Sequence, residues 1–186
     1  WHAQFPETKN KKLLTLPGRI TRLKGHEDFL KIIATLKDSG YHGLIAGGAH
    51  PKKIQYLEEI KALAQEMGVA DRVTFTGHRS DLQNIISISS IVLSLTQQPE
   101  SFGRTTLEAL ALGKPVIGYE HGGVGEILDA LLPSGKIPLG DTEGAINLIK
   151  VWETHPVKPE KTYPFTLTKM LAQTTDLYQT LAASRR

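Results

Sequence analysis

Basic side chains and glycines stand together in one short segment, residues 18–25, which reads Gly-Arg-Ile-Thr-Arg-Leu-Lys-Gly. Gly18 allows the backbone to approach a ligand closely. Arg19 can present its planar fork to phosphate oxygens, and Lys24 supplies a compact positive charge. Lys24 also lies just before a predicted helix, whose first amides favour anions. The segment therefore indicates a phosphate site, although a turn with solvated basic side chains would have the same composition.

Two glutamates follow in a second segment, residues 99–108, which reads Pro-Glu-Ser-Phe-Gly-Arg-Thr-Thr-Leu-Glu. If most of the span between Glu100 and Glu108 is helical, their carboxylates lie roughly 10 Å or more apart. A carboxylate pair that acts on one glycosidic bond with retention is only about 5 Å apart. The two glutamates are therefore better placed to hold the two ends of one long ligand, such as a ribose diol and a transferred group. The ordinary alternatives are a helix-start charge and a solvated helix residue.

The same segment begins a predicted helix, and the first amides of a helix have no partner inside it. The amides near Gly103, Arg104 and Thr105 therefore indicate a second anion site, to which the helix dipole contributes. A further loop, residues 76–82, follows the third predicted strand, and its backbone could read the edge of a base. The sequence has seven histidines, but no pair has metal-ligand spacing, so no metal site is predicted.

A glycine-rich turn, residues 118–126, follows the fifth predicted strand. The turn could bring bare backbone to a phosphate or a sugar, with His121 at the rim, although glycine-rich turns are common. It lacks the Gly-Lys-Ser/Thr element of a Walker loop. The glycine spacing of a dinucleotide-binding fingerprint is also missing after the first strand. Neither of these phosphate-binding loops is therefore predicted.

The elements that must position these residues alternate along the chain. Short apolar runs without clean alternation, typical of strands covered on both faces, occupy residues 13–16, 43–46, 72–76, 91–95, 115–119 and, more weakly, 136–139. Segments of helical period occupy residues 27–38, 51–67, 80–88, 102–112, 123–131, 142–153 and 168–183. This alternation predicts an α/β fold with a doubly wound, Rossmann-like parallel sheet of about six strands. Such sheets bind ligands at the carboxyl ends of their strands, which is where the residues above occur.

Composition excludes several classes of function. The 186 residues carry a net charge of +3 with scattered basic residues, and only 6% are aromatic, so we expect no nucleic-acid partner. The chain has no cysteine, which excludes disulfides and thiolate metal sites. No apolar run is long enough to span a bilayer, and no secretory signal is recognised. We therefore expect a cytoplasmic location, with the inner face of the membrane as an alternative because the basic excess favours anionic surfaces.

Three motifs in combination resemble the group 1 (family 4) retaining glycosyltransferases. They are Gly-Arg-x4-Lys-Gly, then Glu-Ser-Phe-Gly-x4-Glu, then Gly-Lys-Pro-Val-Ile-Gly followed by Gly-Gly-Val-Gly-Glu. The motifs stand in that family's order, and the resemblance covers about residues 13–180. It implies the two-domain GT-B architecture, with this chain as the C-terminal, nucleotide-sugar-binding half.

The resemblance also implies a division of the chain. Residues 1–12 would be a linker or a chain boundary, and residues 13–155 the Rossmann-like donor-binding domain. Residues 156–186 would form an extended connection and a C-terminal helix that packs toward an N-terminal domain outside this sequence.

By resemblance, Arg19 and Lys24 would bind the donor diphosphate and stabilise the leaving group, with Gly18 beside them. The departing nucleoside diphosphate gains negative charge, and fixed cations lower that barrier electrostatically. Glu100 would contact the donor sugar where an oxocarbenium-like centre develops. In this family the configuration at the anomeric carbon is retained, and a front-face path assisted by the leaving group is usually proposed.

The remaining donor contacts implied by the resemblance come from the backbone and from one further glutamate. Backbone amides would hold the sugar and phosphate at Phe102, Gly103, Arg104 and Thr105. Glu108 would bind the ribose hydroxyls, and the base pocket would include Gly77, His78, Arg79 and Leu82. The donor would be a UDP-, GDP- or ADP-sugar, with no cofactor and no metal held by an Asp-x-Asp motif.

The sequence departs from the family pattern at Arg104, where many relatives carry an apolar residue, so this side chain either adds a phosphate contact or faces solvent. The acceptor, a saccharide or lipid-linked saccharide, would be bound through the N-terminal domain, with peripheral membrane association as a further expectation. We expect the chain alone to bind nucleotide weakly and to turn nothing over. The alternatives are a non-catalytic nucleotide-binding module, a sugar-nucleotide epimerase or a phosphorylase of the same architecture, or an α/β domain used only for protein interaction.

Overall fold

Six strands form one parallel sheet in the computed structural model, which describes residues 1–51, 54–160 and 164–184. The strands are β1 (Lys12–Pro17), β2 (Tyr41–Ala46), β3 (Val73–Phe75), β4 (Ile91–Ser94), β5 (Val116–Tyr119) and β6 (Lys136–Ile137). Their order across the sheet is β3-β2-β1-β4-β5-β6, and every neighbouring pair is parallel. The predicted doubly wound, Rossmann-like α/β fold with about six strands is confirmed.

Seven α-helices connect the strands or follow them within the described residues. They are α1 (His26–Thr35), α2 (Ile54–Glu66), α3 (Leu82–Ile88), α4 (Arg104–Ala111), α5 (Gly122–Leu131), α6 (Thr142–Thr154) and α7 (Leu167–Ala183). The prediction began the second helix at residue 51, but residues 52 and 53 lie outside the described part. The Asp141 carboxylate caps α6 by accepting a hydrogen bond of 2.8 Å from the Gly144 amide, which fits its predicted place at a helix start.

The central strands have no polar face because helices cover both sides of the sheet. All six residues of β2 and all four of β5 are buried. A Cβ at Gly43 would lie 3.0 Å from Phe29 of α1, whereas the next residue, Leu44, belongs to a cluster with Ile85 of α3. Since neighbouring strand residues point to opposite faces, α1 and α3 lie on opposite faces of the sheet. This explains why the strands appear in the sequence as unbroken apolar runs.

Two helix starts were predicted too early, and the local backbone explains one of the differences. The fourth helix was expected from residue 102, but α4 starts at Arg104 because Gly103 has a φ of +83° and cannot continue a right-handed helix. The third was expected from Ser80, but the residue before α3 is Asp81. The Asp81 carboxylate binds the Arg79 guanidinium, with two distances of 2.7 Å.

The two ends of the chain differ in their packing. Residues 1–12, predicted as a linker or a chain boundary, include a 3-10 turn (Pro6–Thr8) whose Thr8 is fully buried and accepts a hydrogen bond from Trp1. At the other end, every residue of α7 is exposed, and the expectation that this helix packs toward an N-terminal domain stays a prediction. No helix among the described residues has the length and apolar character needed to cross a membrane.

Candidate active site

The order of the strands reverses between β1 and β4, which lie side by side at the centre of the sheet. Connections on the two sides of this point run in opposite directions, so the loops at the carboxyl ends of β1 and β4 separate and leave a crevice. The loop after β1 contains residues 18–25, and the loop after β4 contains residues 95–103. The predicted phosphate site and the predicted glutamate segment therefore face each other by topology alone.

An open cleft of about 1290 Å³ occupies this position. One wall is formed by residues 18–24, and the other by residues 98–105 at the end of the β4 loop and the start of α4. A third contribution comes from α2 and the residues before it, including Tyr56 and Glu59. A cleft of this size is large enough for a ligand that has several connected groups.

The centre of the cleft contains an ion pair between the Lys24 ammonium and the Glu100 carboxylate. Both side chains are about one-quarter exposed, so the pair is partly desolvated but open to the cleft. Gly18 permits this arrangement, because a Cβ there would lie 3.3 Å from Lys24 Cε and its φ of +137° is one that L side chains rarely adopt. The structure thus brings together three residues that the sequence singled out from two distant segments.

Two further cations face the same cleft and have no ion-pair partner within the described part of the chain. Arg19 projects from the β1 loop and Arg104 from the first turn of α4, and both are exposed. The other arginine of the cleft, Arg22, binds Glu59 at 2.5 Å. Because the two cleft carboxylates are already paired, Arg19 and Arg104 are the cleft guanidinium groups that carry uncompensated charge among the described residues. The arrangement favours an anionic ligand between the two walls.

The first turn of α4 adds backbone donors to the second wall. Gly103 precedes the helix and supplies no side-chain cap, and the Thr106 amide donates to the Gly103 carbonyl at 3.1 Å. Among the described residues, this leaves the amides of Arg104 and Thr105 at the cleft end of the helix without an intrahelical acceptor. Phe102, Gly103, Arg104 and Thr105 all line the cleft, and the second anion site expected at the last three stays a prediction. Phe102 is also in edge-to-face contact with Phe165, with ring centroids 6.2 Å apart.

The glycine-rich turn after β5 packs against the backbone of the β4 loop at Glu100 and Phe102. The Gly123 amide donates to the Glu100 carbonyl at 2.8 Å, and a Cβ at Gly123 would lie 2.3 Å from the Phe102 carbonyl oxygen. A Cβ at Gly122 would likewise lie 2.7 Å from the Glu100 carbonyl oxygen. His121 was expected at the ligand rim, and its Nε2 lies 2.8 Å from the Thr96 carbonyl oxygen. These glycines therefore allow one backbone to pack directly on another.

The two loops that form the cleft walls are also joined to each other. The Gln97 amide donates to the Leu23 carbonyl at 2.7 Å. Gly25 has a φ of +72°, and a Cβ there would lie only 2.0 Å from the Leu95 carbonyl oxygen. The positions of Lys24 and Glu100 relative to each other are therefore set by backbone contacts on both sides of the ion pair.

Five predicted donor-binding residues lie outside the cleft lining: Gly77, His78, Arg79, Leu82 and Glu108. The first four follow β3, where the Arg79 guanidinium contacts the Gln4 side chain at 3.1 Å and lies 5.6 Å from the Trp1 ring centroid. Glu108 is half-buried on α4. Their assignments to a base pocket and a ribose site therefore stay predictions.

The cleft wall formed by α2 was not predicted from the sequence. The Arg22 guanidinium lies 4.7 Å from the Tyr56 ring centroid, and the buried His26 ring meets the same tyrosine edge to face at 5.9 Å. Burial lowers the pKa of His26 to about 4, although the backbone at Thr21 opposes that shift. His26 is therefore neutral at pH 7 and adds no charge behind Lys24. The helical period of α2 was recognisable, but nothing in its spacing indicated contact with the β1 loop.

Comparison with known proteins assigns the chain to a family. Residues 1–135 match the family described as "Glycosyl transferases group 1", and the chain belongs to that family. Among curated proteins, the N-acetyl-alpha-D-glucosaminyl L-malate synthase of Bacillus anthracis is 30% identical over 156 residues, which are 82% of this chain and 40% of that protein. A D-inositol 3-phosphate glycosyltransferase of Mycolicibacterium smegmatis is 34% identical over 124 residues, 66% of this chain and 28% of that protein. The chain thus spans less than half the length of these relatives.

Solved structures agree on the fold. The sucrose-phosphate synthase of Thermosynechococcus elongatus matches with a TM-score of 0.80 and 25% identity, covering 98% of this chain and 48% of that one. The Anabaena protein HepE, solved in complex with UDP and glucose, matches with a TM-score of 0.75 and 23% identity over 82% of this chain and 41% of its own. Within the described residues, no group of three or more His, Asp or Glu side chains is arranged to hold a metal ion.

Proposed function

We propose that this chain is the donor-binding part of a retaining glycosyltransferase that uses a nucleoside-diphosphate sugar. The observation that carries this proposal is the convergence of Arg19, Lys24 and Glu100 on one open cleft at the strand-order reversal. Family membership supports it independently. The proposal is for the whole protein, because the relatives are more than twice as long as the matched region.

The charges of the cleft fit the chemistry of the transfer. As the bond from the anomeric carbon to the diphosphate oxygen breaks, negative charge grows on the leaving group, and fixed cations stabilise it. Arg19 supplies a forked guanidinium that has no ion-pair partner in the part of the chain that the structure describes. Lys24 has three N–H donors, so it can bind a phosphate oxygen and keep its contact with Glu100. The acceptor oxygen bonds to the anomeric carbon on the same face, and its proton passes to the departing phosphate oxygen.

Glu100 then has a role that is distinct from acid–base catalysis between two carboxylates. Glu108 lies outside the cleft lining, so the two glutamates are not arranged as a pair across one bond. In our proposal the Glu100 carboxylate orients Lys24, accepts hydrogen bonds from the donor sugar and stabilises positive charge at the anomeric carbon. The first-turn amides of α4 hold the sugar and phosphate, while Glu108 and residues 77–82 bind the ribose and base after the donor enters.

The relatives suggest which donors and acceptors should be tested first. HepE was solved with UDP and glucose, so UDP-glucose is the first donor to test, with GDP- and ADP-sugars as the alternatives. The names of two curated relatives specify anionic acceptors, L-malate and inositol 3-phosphate. An acceptor saccharide or lipid-linked saccharide would reach the donor from outside this chain. We place the protein in the cytoplasm, with peripheral contact to the inner membrane face if the acceptor is lipid-linked.

The exposed helix α7 fits a partner outside the chain. Its apolar residues recur at helical spacing, and each is more than half exposed: Leu167, Met170, Leu171, Leu177, Tyr178 and Leu181. We propose that residues 156–186 cross back to an N-terminal domain and that this stripe packs against it. The edge-to-face contact of Phe165 with Phe102 would then connect the partner domain to the cleft wall.

The decisive test compares Glu100→Gln with the unchanged natural protein. We expect Glu100→Gln to retain nucleoside-diphosphate binding by calorimetry and to lose sugar transfer by at least about a hundredfold, as is typical when a transition-state contact is removed. Glu143→Gln on α6 is the matched control, because Glu143 lies outside the cleft lining, and it should change neither quantity. Binding without transfer in the unchanged protein, across all donors and acceptors tried, would favour a non-catalytic module. Full transfer by Glu100→Gln would contradict the proposed role.

A further inference from the structure

A half-buried carboxylate lies beside the cleft, outside the residues that line it. Asp28 is in the first turn of α1, and its side chain is 13% exposed. Its Oδ2 accepts hydrogen bonds from the Tyr119 hydroxyl at 2.7 Å and from Gln97 Nε2 at 2.9 Å, and its Oδ1 accepts from Lys31 at 3.0 Å. Burial raises the pKa of Asp28, but the hydrogen bonds from Tyr119, Lys31 and Gln97 outweigh it and hold the pKa below its ordinary value. The carboxylate is therefore charged at neutral pH.

Gln97 connects Asp28 to both walls of the cleft through hydrogen bonds of its side chain and its backbone. Its side-chain nitrogen also donates to the Leu95 carbonyl at 3.1 Å, which fixes the side chain against its own loop. Its backbone amide donates to the Leu23 carbonyl at 2.7 Å. Leu23 immediately precedes Lys24, and Gln97 comes three residues before Glu100. One side chain is thus hydrogen-bonded to Asp28 while its backbone joins the two loops that carry the ion pair.

The side chains of Asp28 and Gln97 are polar and only partly buried, and they lie next to a fully buried core. Phe29 and Leu30, the neighbouring residues of α1, belong to that core, and so does Tyr119. The positions of Asp28 and Gln97 are therefore better explained by their hydrogen bonds than by the filling of space in the core. A charged acceptor surrounded by three donors holds them with less freedom than a neutral one would.

We infer that Asp28 and Gln97 are positioning residues that set the distance and orientation of the Lys24–Glu100 pair for the donor diphosphate. The inference rests on the proposed function, because it concerns the affinity of the same cleft for the diphosphate group. Without the Asp28–Gln97 bond, the β4 loop keeps its glycine contacts but loses the anchor that fixes the Leu23 carbonyl. The diphosphate then meets Lys24 in several orientations, which lowers affinity for that group and leaves the nucleoside contacts unchanged.

The experiment measures two dissociation constants in the natural protein for each variant. One is for whichever of UDP, GDP and ADP the unchanged protein binds best, and the other is for the corresponding monophosphate. Asp28→Ala and Gln97→Met, which keeps side-chain length and removes both donors, should each weaken diphosphate binding about tenfold relative to monophosphate. The double variant should lose less affinity than the sum of the two single losses, because the Asp28–Gln97 bond is common to both changes and is lost only once.

Two controls separate positioning from a general loss of structure. Asp28→Asn keeps an acceptor for Gln97 and Tyr119 and should restore the ratio of the two constants to within about threefold of the unchanged protein. Lys31→Ala removes the exposed third partner of the same carboxylate and should leave the ratio unchanged. Thermal unfolding of every variant shows how far stability changes, and the ratio is compared only below the unfolding transition.

The outcomes distinguish this inference from the proposed function. If the unchanged protein binds none of the three nucleoside diphosphates, the proposed function fails. If it binds one of them, the positioning role is overturned by either of two results for Asp28→Ala and Gln97→Met. The variants lower diphosphate and monophosphate affinity equally, or they lower neither affinity. In both cases the donor site stands. Additive effects in the double variant would also overturn it, because independent effects cannot come from one shared bond.

Discussion

Gly25→Ala should be far more damaging than the same change at another glycine with similar backbone angles. Gly25 has a φ of +72°, and a Cβ there would lie 2.0 Å from the Leu95 carbonyl oxygen and 2.7 Å from Leu95 Cβ. Gly68 has a φ of +66° with nothing within 4 Å of the corresponding Cβ, so Gly68→Ala isolates the cost of the left-handed backbone. That cost is about 1–2 kcal/mol for a non-glycine residue.

The clash at position 25 adds to this cost because backbone, which cannot rotate away, occupies the space. Overpacking of this kind costs about 1–3 kcal/mol more. Gly25→Ala should therefore lower the free energy of unfolding by about 2–5 kcal/mol, against about 1–2 kcal/mol for Gly68→Ala. Relief of the clash moves the β1 loop away from the β4 loop, so the remaining folded protein should also bind nucleoside diphosphate at least about tenfold more weakly.

Urea unfolding followed by tryptophan fluorescence measures the first quantity, and calorimetric titration with the bound nucleoside diphosphate measures the second. The reasoning would be refuted if Gly25→Ala and Gly68→Ala had equal unfolding free energies and equal affinities. Equal affinities with unequal stabilities would show that the loop contact supports the fold without setting the cleft geometry.

Three further predictions concern charge and capping. Because burial lowers the pKa of His26 to about 4 from about 6.5, the unfolded chain binds a proton that the folded chain excludes between those pH values, so stability is lost as pH falls from 6.5 to 4. His26→Gln should flatten the pH dependence of the unfolding free energy in that window. Arg104→Leu should weaken nucleoside-diphosphate binding about three- to tenfold and reduce its salt dependence in calorimetric titrations at two ionic strengths. Asp141→Ala should cost about 1 kcal/mol in urea unfolding through its lost cap, and Thr142→Ala much less.

The fold was predictable because its strands are buried on both sides. Such strands appear as apolar runs that need no knowledge of their neighbours, and parallel order follows from the alternation with helices. Element boundaries were less predictable, since they depend on the conformation of single residues. The φ of +83° at Gly103 moved the start of α4, and this conformation is not encoded in periodicity.

The candidate site was predictable where residues follow strands. Arg19, Lys24 and Glu100 share the cleft because parallel topology brings the carboxyl ends of β1 and β4 together. Tyr56 could not be assigned, because the face that α2 turns toward the β1 loop is decided by tertiary packing. Asp28 could not be assigned for the same reason, since its hydrogen-bond partners come from two other segments of the chain.

The pairing of β1 with β4 has a consequence for biosynthesis. Leu14 lies beside Ile91 in the finished sheet, so one edge of the central strand stays open on the nascent chain until β4 has left the ribosome. Contacts this distant in sequence form slowly and expose unpaired backbone in the meantime. The cleft between the loops that follow these two strands is consequently completed only after β4 has paired with β1.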